Sequence, residues 1–186
     1  MAKRCFTYIA LLRGINIGPH KRMKMEKLRN SCEGLGFAGV KTYIQSGNVI
    51  LKAPKLSPAI LSKKLAEGIV KDFGFSCEVI ARSREEMKKI IEGNPFPKER
   101  GMDSSKLHVV FLSEPASAAA LEKLQELTLA PDRFMIGGKE IYFYFPNGVS
   151  GSSLWKHPLD RVLGVAGTMR NWKTVTTLYQ MAMEVE

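Results

Sequence analysis

The residues best suited to bind an anion lie in one segment near the start of the chain, residues 13–22, which reads RGINIGPHKR. Glycines in such a loop let main-chain N–H groups approach a ligand, and basic residues before a helix favour a negative charge. The alternative is a structural turn in which Gly14 and Gly18 supply positive φ. The spacing matches neither the P-loop nor the G-x-G-x-x-G fingerprint. The candidate ligand-binding residues of this loop are Arg13, Gly14, Asn16, Gly18, Lys21 and Arg22.

A second candidate is the short polar segment that follows Ile44. Turn chemistry by itself explains Gly47 and Asn48, because both residue types suit a tight hairpin. The turn has less need of the residue types found at Gln45 and Ser46. We therefore add these two residues to the candidate ligand-binding set.

A third candidate is Arg170, which lies just ahead of the last predicted helix. Asn171 is explained as the N-cap of that helix and Trp172 as an anchor in the core. Arg170 has no such local explanation. It is the residue of this segment that could face a ligand.

The sequence contains no recognisable catalytic or metal-binding pattern. His20, His108 and His157 lack the spacing of metal ligands, and the three cysteines form no C-x-x-C pair. We expect no metal and no cofactor, and no catalytic residue can be assigned. Whether the protein is an enzyme stays open, because an acid and a base can meet only in the fold.

The positive charge is concentrated in the first third of the chain. The formal net charge is +10, and residues 1–56 contain 11 Lys and Arg against 2 Asp and Glu. Such an asymmetry predicts attraction to an anionic small molecule or a nucleic acid. The alternative is that these side chains only solvate one face.

The elements that must position these residues occur in the same order twice. Apolar periodicity and turn residues predict β-α-β-β-α-β-α in each half, although Pro158 interrupts the helix predicted over residues 152–163. We therefore predict an α+β fold of two similar ferredoxin-like subdomains in tandem. Their predicted limits are 1–93 and 106–186, joined by a Pro- and Gly-containing linker over 94–105.

The first predicted strand, residues 5–12, is apolar on both of its alternating faces. A strand of this kind is expected to be covered on both sides. Packing of the two halves or formation of a homodimer would each provide the second cover.

Composition points to a cytoplasmic protein. We expect no signal peptide and no membrane partner, because the longest apolar runs are far shorter than a membrane span. Three cysteines beside apolar neighbours predict buried, reduced thiols.

Three segments, ALLRGIN at residues 10–16, YIQSGNV at 43–49 and RNWKTV at 170–175, resemble a widespread bacterial family of unknown function that has the ALLRGIN motif near its start. The resemblance spans nearly the whole chain and implies a two-subdomain α+β fold. It supplies no catalytic residues. Family members often have a second glycine after the loop where this chain has Pro19, which His20 follows.

The leading hypothesis is a binding protein for a phosphate-bearing ligand, either a nucleotide or a nucleic acid, at the basic loop with Gln45 and Ser46 nearby. One alternative is an enzyme whose site is assembled only by the fold. Another is a protein-interaction or dimerisation module.

Overall fold

A computed structural model describes residues 5–185, which form two compact units. The first unit contains residues 5–89 and 177–185, and the second is Ile90–Thr176. The subdomain limits and the linker inferred from the sequence remain predictions.

The first unit has a four-stranded antiparallel sheet in the order β2-β3-β1-β4. Two helices connect its strands and a third follows the last strand. The elements are β1 (Phe6–Leu12), α1 (Met25–Gly34), β2 (Ala38–Tyr43), β3 (Asn48–Ala53), α2 (Pro58–Phe73), β4 (Val79–Ser83) and the start of α3 (Arg84–Gly93), whose residues from Ile90 onward belong to the second unit.

The second unit repeats this arrangement with the order β6-β7-β5-β8, again antiparallel throughout. The ferredoxin-like α+β fold predicted for both halves is confirmed. Its elements are β5 (Leu107–Leu112), α4 (Ala118–Glu126), β6 (Arg133–Gly137), β7 (Glu140–Tyr144), α5 (Leu159–Leu163), β8 (Gly167–Asn171) and the start of α6 (Trp172–Glu184), whose residues from 177 onward belong to the first unit.

The helix predicted over residues 152–163 was too long. Two short 3-10 turns, Val149–Gly151 and Ser153–Lys156, precede α5, which begins only after Pro158. Proline restricts the residue before it and has no N–H to donate, so the helix begins beyond it.

Local signals fix both ends of α2 and the start of α3. The hydroxyl of Ser57 accepts a hydrogen bond from the N–H of Ile60, and Gly74 ends α2 with φ +74°. Ser83 and Glu86 form a reciprocal capping box at the start of α3. These caps set where the chain turns between strands and helices.

The helix-facing side of the first sheet forms a continuous apolar core. Leu28 and Cys32 of α1 pack there with Leu61 and Leu65 of α2. The alternation of β1 is apolar on both sides, and its residues from Thr7 to Leu12 are all buried.

The tip of the β2–β3 hairpin lies at the end of β1 where the basic loop begins. Leu11 pairs with Asn48 across the sheet, and the N–H of Leu12 donates to the carbonyl of Gly47 at 2.8 Å. The sheet order therefore brings the Gln45–Ser46 segment to the loop over residues 13–24.

Two further expectations concern the burial of the cysteines and the membrane. Cys32 and Cys77 are buried, but the prediction that Cys5 is buried is wrong, because this residue precedes β1 and is exposed. Within residues 5–185, no helix combines the length and the apolar character needed to cross a membrane.

Candidate functional site

The loop between β1 and α1 is held in shape by the side chain of Asn16. Its amide nitrogen donates to the carbonyl of Met23 at 2.9 Å and to the carbonyl of Gln45 at 2.8 Å. Its amide oxygen accepts from the N–H of Met23 at 2.7 Å. One side chain thus joins the loop, the start of α1 and the hairpin tip.

Left-handed backbone conformations let the loop reverse direction. Gly14 and Gly18 both have φ +67°, and Asn16 and Lys21 have φ +55° and +51°. A side chain at Gly14 or Gly18 would have open space around it, so the backbone and not crowding calls for glycine there.

A cleft of about 840 Å³ opens beside this loop. It is bounded by the loop, the first turns of α1, the hairpin tip and the end of α2. Four lining residues are cationic, and among the described lining residues Glu26 is the one acid. The lining residues are Asn16, Arg22, Met23, Lys24, Met25, Glu26, Lys27, Arg29, Gln45 and Phe73. We call this feature the basic cleft.

Two of the cations have fixed positions. The guanidinium of Arg29 donates to the hydroxyl of Thr42 at 2.7 Å, which ties α1 to β2. The Lys27 ammonium lies 4.9 Å from the ring centroid of Phe73, in cation–π geometry. Both contacts hold positive charge at the wall of the cleft.

Three of the predicted site residues, Asn16, Arg22 and Gln45, meet in the basic cleft. Ser46 is half-buried in the hairpin tip, where its hydroxyl accepts from the amide of Asn48 at 3.0 Å. Arg13 is half-buried at the end of β1, and its main-chain N–H donates to the carbonyl of Glu78 at 2.9 Å.

Lys21 lines a second, smaller cavity of about 470 Å³ on the same unit. Glu67 and Glu78 also line that cavity, so its charge is not predominantly positive. The thiol of Cys77 lies there, 3.4 Å from the carbonyl oxygen of Arg13. Lys21 is therefore adjacent in sequence to the cleft residue Arg22, but it lines the smaller cavity and not the basic cleft.

Arg170 belongs to the second unit and is buried in β8. Its guanidinium donates to the hydroxyl of Thr168 and to the carbonyl of Met169, both at 2.8 Å. Arg82 is buried at the equivalent place in β4 and donates to the carbonyl of Ala81. The two units therefore share a buried arginine one residue before the cap of the following helix.

Several residues of the basic cleft escaped the sequence prediction. Lys24, Lys27 and Arg29 belong to the same basic run as Lys21 and Arg22, so their spacing alone could have included them. Phe73 is different, because only the packing of α2 beside α1 brings the end of α2 to this loop.

Two carboxylates outside the cleft have lowered pKa values. The carboxyl pKa of Glu99 is lowered by a hydrogen bond from Arg133, and that of Asp103 by hydrogen bonds from Ser105. Both carboxylates are exposed on the second unit. No group of three or more potential metal ligands occurs within residues 5–185.

Comparison with known proteins identifies the family. A family model described as "Protein of unknown function (DUF1697)" matches residues 6–142. The chain belongs to this family. The membership in a family of unknown function that the motifs predicted is thus confirmed.

A member of the same structural type has been solved. A conserved bacterial protein from Streptococcus pneumoniae is 26% identical, with a TM-score of 0.78. The match covers 96% of this chain and 99% of that one. No curated protein matches the chain significantly. Family and fold are therefore known, and the ligand must be argued from the basic cleft.

Proposed function

We propose that the first unit binds a phosphate-bearing ligand, a nucleotide or a nucleic acid, in the basic cleft. The observation that carries this proposal is the composition of the cleft wall, where four cations surround one carboxylate in about 840 Å³. A cavity of this size accommodates an organic ligand as well as a phosphate group.

The start of α1 adds to the positive potential. Its N-cap residue is Lys24, whose side chain makes no capping hydrogen bond. The N-cap residue of a helix is ordinarily Ser, Thr, Asp or Asn, because these side chains accept hydrogen bonds from the first N–H groups of the helix. A lysine there adds charge of the same sign as the helix end, which an anionic ligand would offset.

The wall also offers neutral contacts to the organic part of a ligand. Met25 and Phe73 provide apolar surface, and the exposed Gln45 side chain provides a donor and an acceptor. This mixture suits a nucleotide unit better than an inorganic anion.

The test is a ligand panel of inorganic phosphate, nucleotides and short oligonucleotides, measured by thermal shift at low and high salt. A ligand at 100 times its Kd should raise the free energy of unfolding by about 2.7 kcal/mol. A shift that disappears with salt identifies a polyanion. A shift that resists salt identifies a small nucleotide in a formed pocket.

The matched variants carry equal changes in charge. The triple substitution Arg22→Ser, Lys24→Ser and Lys27→Ser should abolish the shift. The control substitutions Lys98→Ser, Lys123→Ser and Lys156→Ser, at exposed positions of the second unit, should preserve it. Equal loss in both triple variants, or no shift in the wild type, would refute binding at the cleft.

We also propose that the protein works in a reducing, cytoplasmic environment. The support is that Cys32 and Cys77 are buried as thiols, the form that a reducing compartment maintains. Fractionation of a cell that expresses the natural gene would check this location.

A further inference from the structure

Two large aliphatic side chains are exposed beside the basic cleft. Ile17 is 75% exposed and Ile44 is 51% exposed. Ile17 follows Asn16 and Ile44 precedes Gln45, and these two cleft residues are hydrogen-bonded at 2.8 Å. A single exposed isoleucine is ordinary. Here two exposed isoleucines each adjoin one of the two cleft residues that this hydrogen bond joins.

The backbone of Ile44 is an additional anomaly. Its φ of +50° lies in the left-handed region, which strongly disfavours a β-branched residue. Glycine or asparagine is the usual choice at such a position of a hairpin loop. Because half of the side chain faces solvent, packing compensates the strain only in part. Strain of this kind is characteristic of functional positions.

The charge around the two isoleucines restricts what could cover them. Arg22 is exposed in the same loop as Ile17, and Lys24 lies at the start of α1. An occupant must therefore be anionic and must also present apolar faces. Single-stranded nucleic acid has both, because its phosphates are charged and its unstacked bases expose their rings. A duplex keeps those rings stacked inside.

We propose that the basic cleft holds the phosphates of a single-stranded nucleic acid while Ile17 and Ile44 pack against its bases. This inference rests on the proposed function and specifies its ligand. Aliphatic side chains, isoleucine among them, contact base rings where they wedge between the base steps of kinked duplex DNA, so such a side chain can pack against a base that is not stacked on its neighbour. The contact is independent of base sequence, since every base has an apolar face.

The experiment compares a fluorescent single-stranded oligonucleotide with polyphosphate, using fluorescence anisotropy on the full chain. The double variant Ile17→Ser, Ile44→Asn should weaken oligonucleotide binding about ten-fold, a loss typical of one base contact. Polyphosphate binding, measured by competition, should not change. The control Ile60→Ser removes a residue that is 50% exposed on α2 and should alter neither affinity.

Folding is monitored separately, because Asn tolerates the left-handed region that Ile44 occupies. Ile44→Asn should raise the melting temperature while it weakens oligonucleotide binding. Unchanged oligonucleotide affinity, or equal losses for oligonucleotide and polyphosphate, would overturn the inference but leave the cleft proposal intact. Binding of polyglutamate in place of the oligonucleotide would overturn it in favour of an acidic protein partner. A wild type that binds neither anion would overturn the inference, and together with the absence of any nucleotide shift in the ligand panel it would refute the proposed function itself.

Discussion

The side-chain amide of Asn16 and the main-chain carbonyl of Gln45, 29 positions apart in the chain, lie 2.8 Å apart. This hydrogen bond joins the loop after β1 to the tip of the β2–β3 hairpin. The same amide group bonds the N–H and the carbonyl of Met23. Asn16 therefore fixes one edge of the basic cleft through three hydrogen bonds to two residues.

Substitution of Asn16 should loosen this edge. Asn16→Ala removes three hydrogen bonds and should lower the free energy of unfolding by about 2 kcal/mol. Asn16→Asp keeps an acceptor for Met23 but turns a carboxylate toward two carbonyl oxygens, so the loss should be at least as large. Urea unfolding measures both. Asn16→Gly is the control, because glycine removes the same bonds without a penalty for φ +55°. Wild-type stability in the glycine variant would contradict this role.

Gly47 should be intolerant of any side chain. A Cβ there would lie 2.6 Å from Cδ1 of Ile15 and 2.7 Å from Cβ of Leu12, and φ is +77°. Gly47→Ala should therefore cost at least about 2 kcal/mol in unfolding experiments. Gly14→Ala is the matched control: its φ is +67° but nothing lies within 4 Å, so about 1 kcal/mol is expected. Equal costs would show that crowding at Gly47 is unimportant.

The stability of the protein should fall on mild acidification because of His108. This side chain is half-buried, with its ring 5.2 Å from that of Phe145, and burial lowers its pKa. Below the unfolded pKa of about 6.5, the unfolded chain binds a proton that the folded chain resists. Stability is therefore greatest above that pH and declines as pH falls toward the folded pKa.

The measurement is urea unfolding at a series of pH values from neutral to mildly acidic. His108→Gln has no proton to bind, so its stability should vary less with pH over this window. The control His20→Gln changes an exposed histidine of the basic loop and should keep the wild-type slope. A His108→Gln variant with the same slope as the wild type would assign the acid sensitivity to other groups.

The three thiols should differ sharply in reactivity. Cys5 is exposed, whereas Cys32 and Cys77 are buried, and burial with the charges of Glu33 and Asp72 raises the pKa of Cys32 to about 12. The reactive species is the thiolate, so Cys32 should be inert in the folded protein. A thiol-specific reagent should modify one cysteine rapidly in the native state and all three after denaturation. Rapid native labelling that persists in Cys5→Ser would contradict this assignment.

The amino-acid sequence by itself predicts the order of the elements and the fold. The capping box of Ser83 and Glu86 and the stop at Gly74 depend on residues within a few positions of each other. Periodicity likewise reports which face of each helix or strand is apolar. Since both halves contain the same pattern, the ferredoxin-like repeat could be recognised without coordinates. The concentration of positive charge in the first third was equally visible.

Only the tertiary structure decided which basic residues share a site. Asn16, Arg22 and Gln45 meet in one cleft, whereas Lys21 lines another cavity and Arg170 is buried in the second unit. Neither the position of Phe73 at the cleft nor the left-handed backbone of Ile44 could be predicted from the sequence. The physical reason is that these features depend on contacts between segments distant in sequence, which strand pairing and helix packing create and local propensity does not encode.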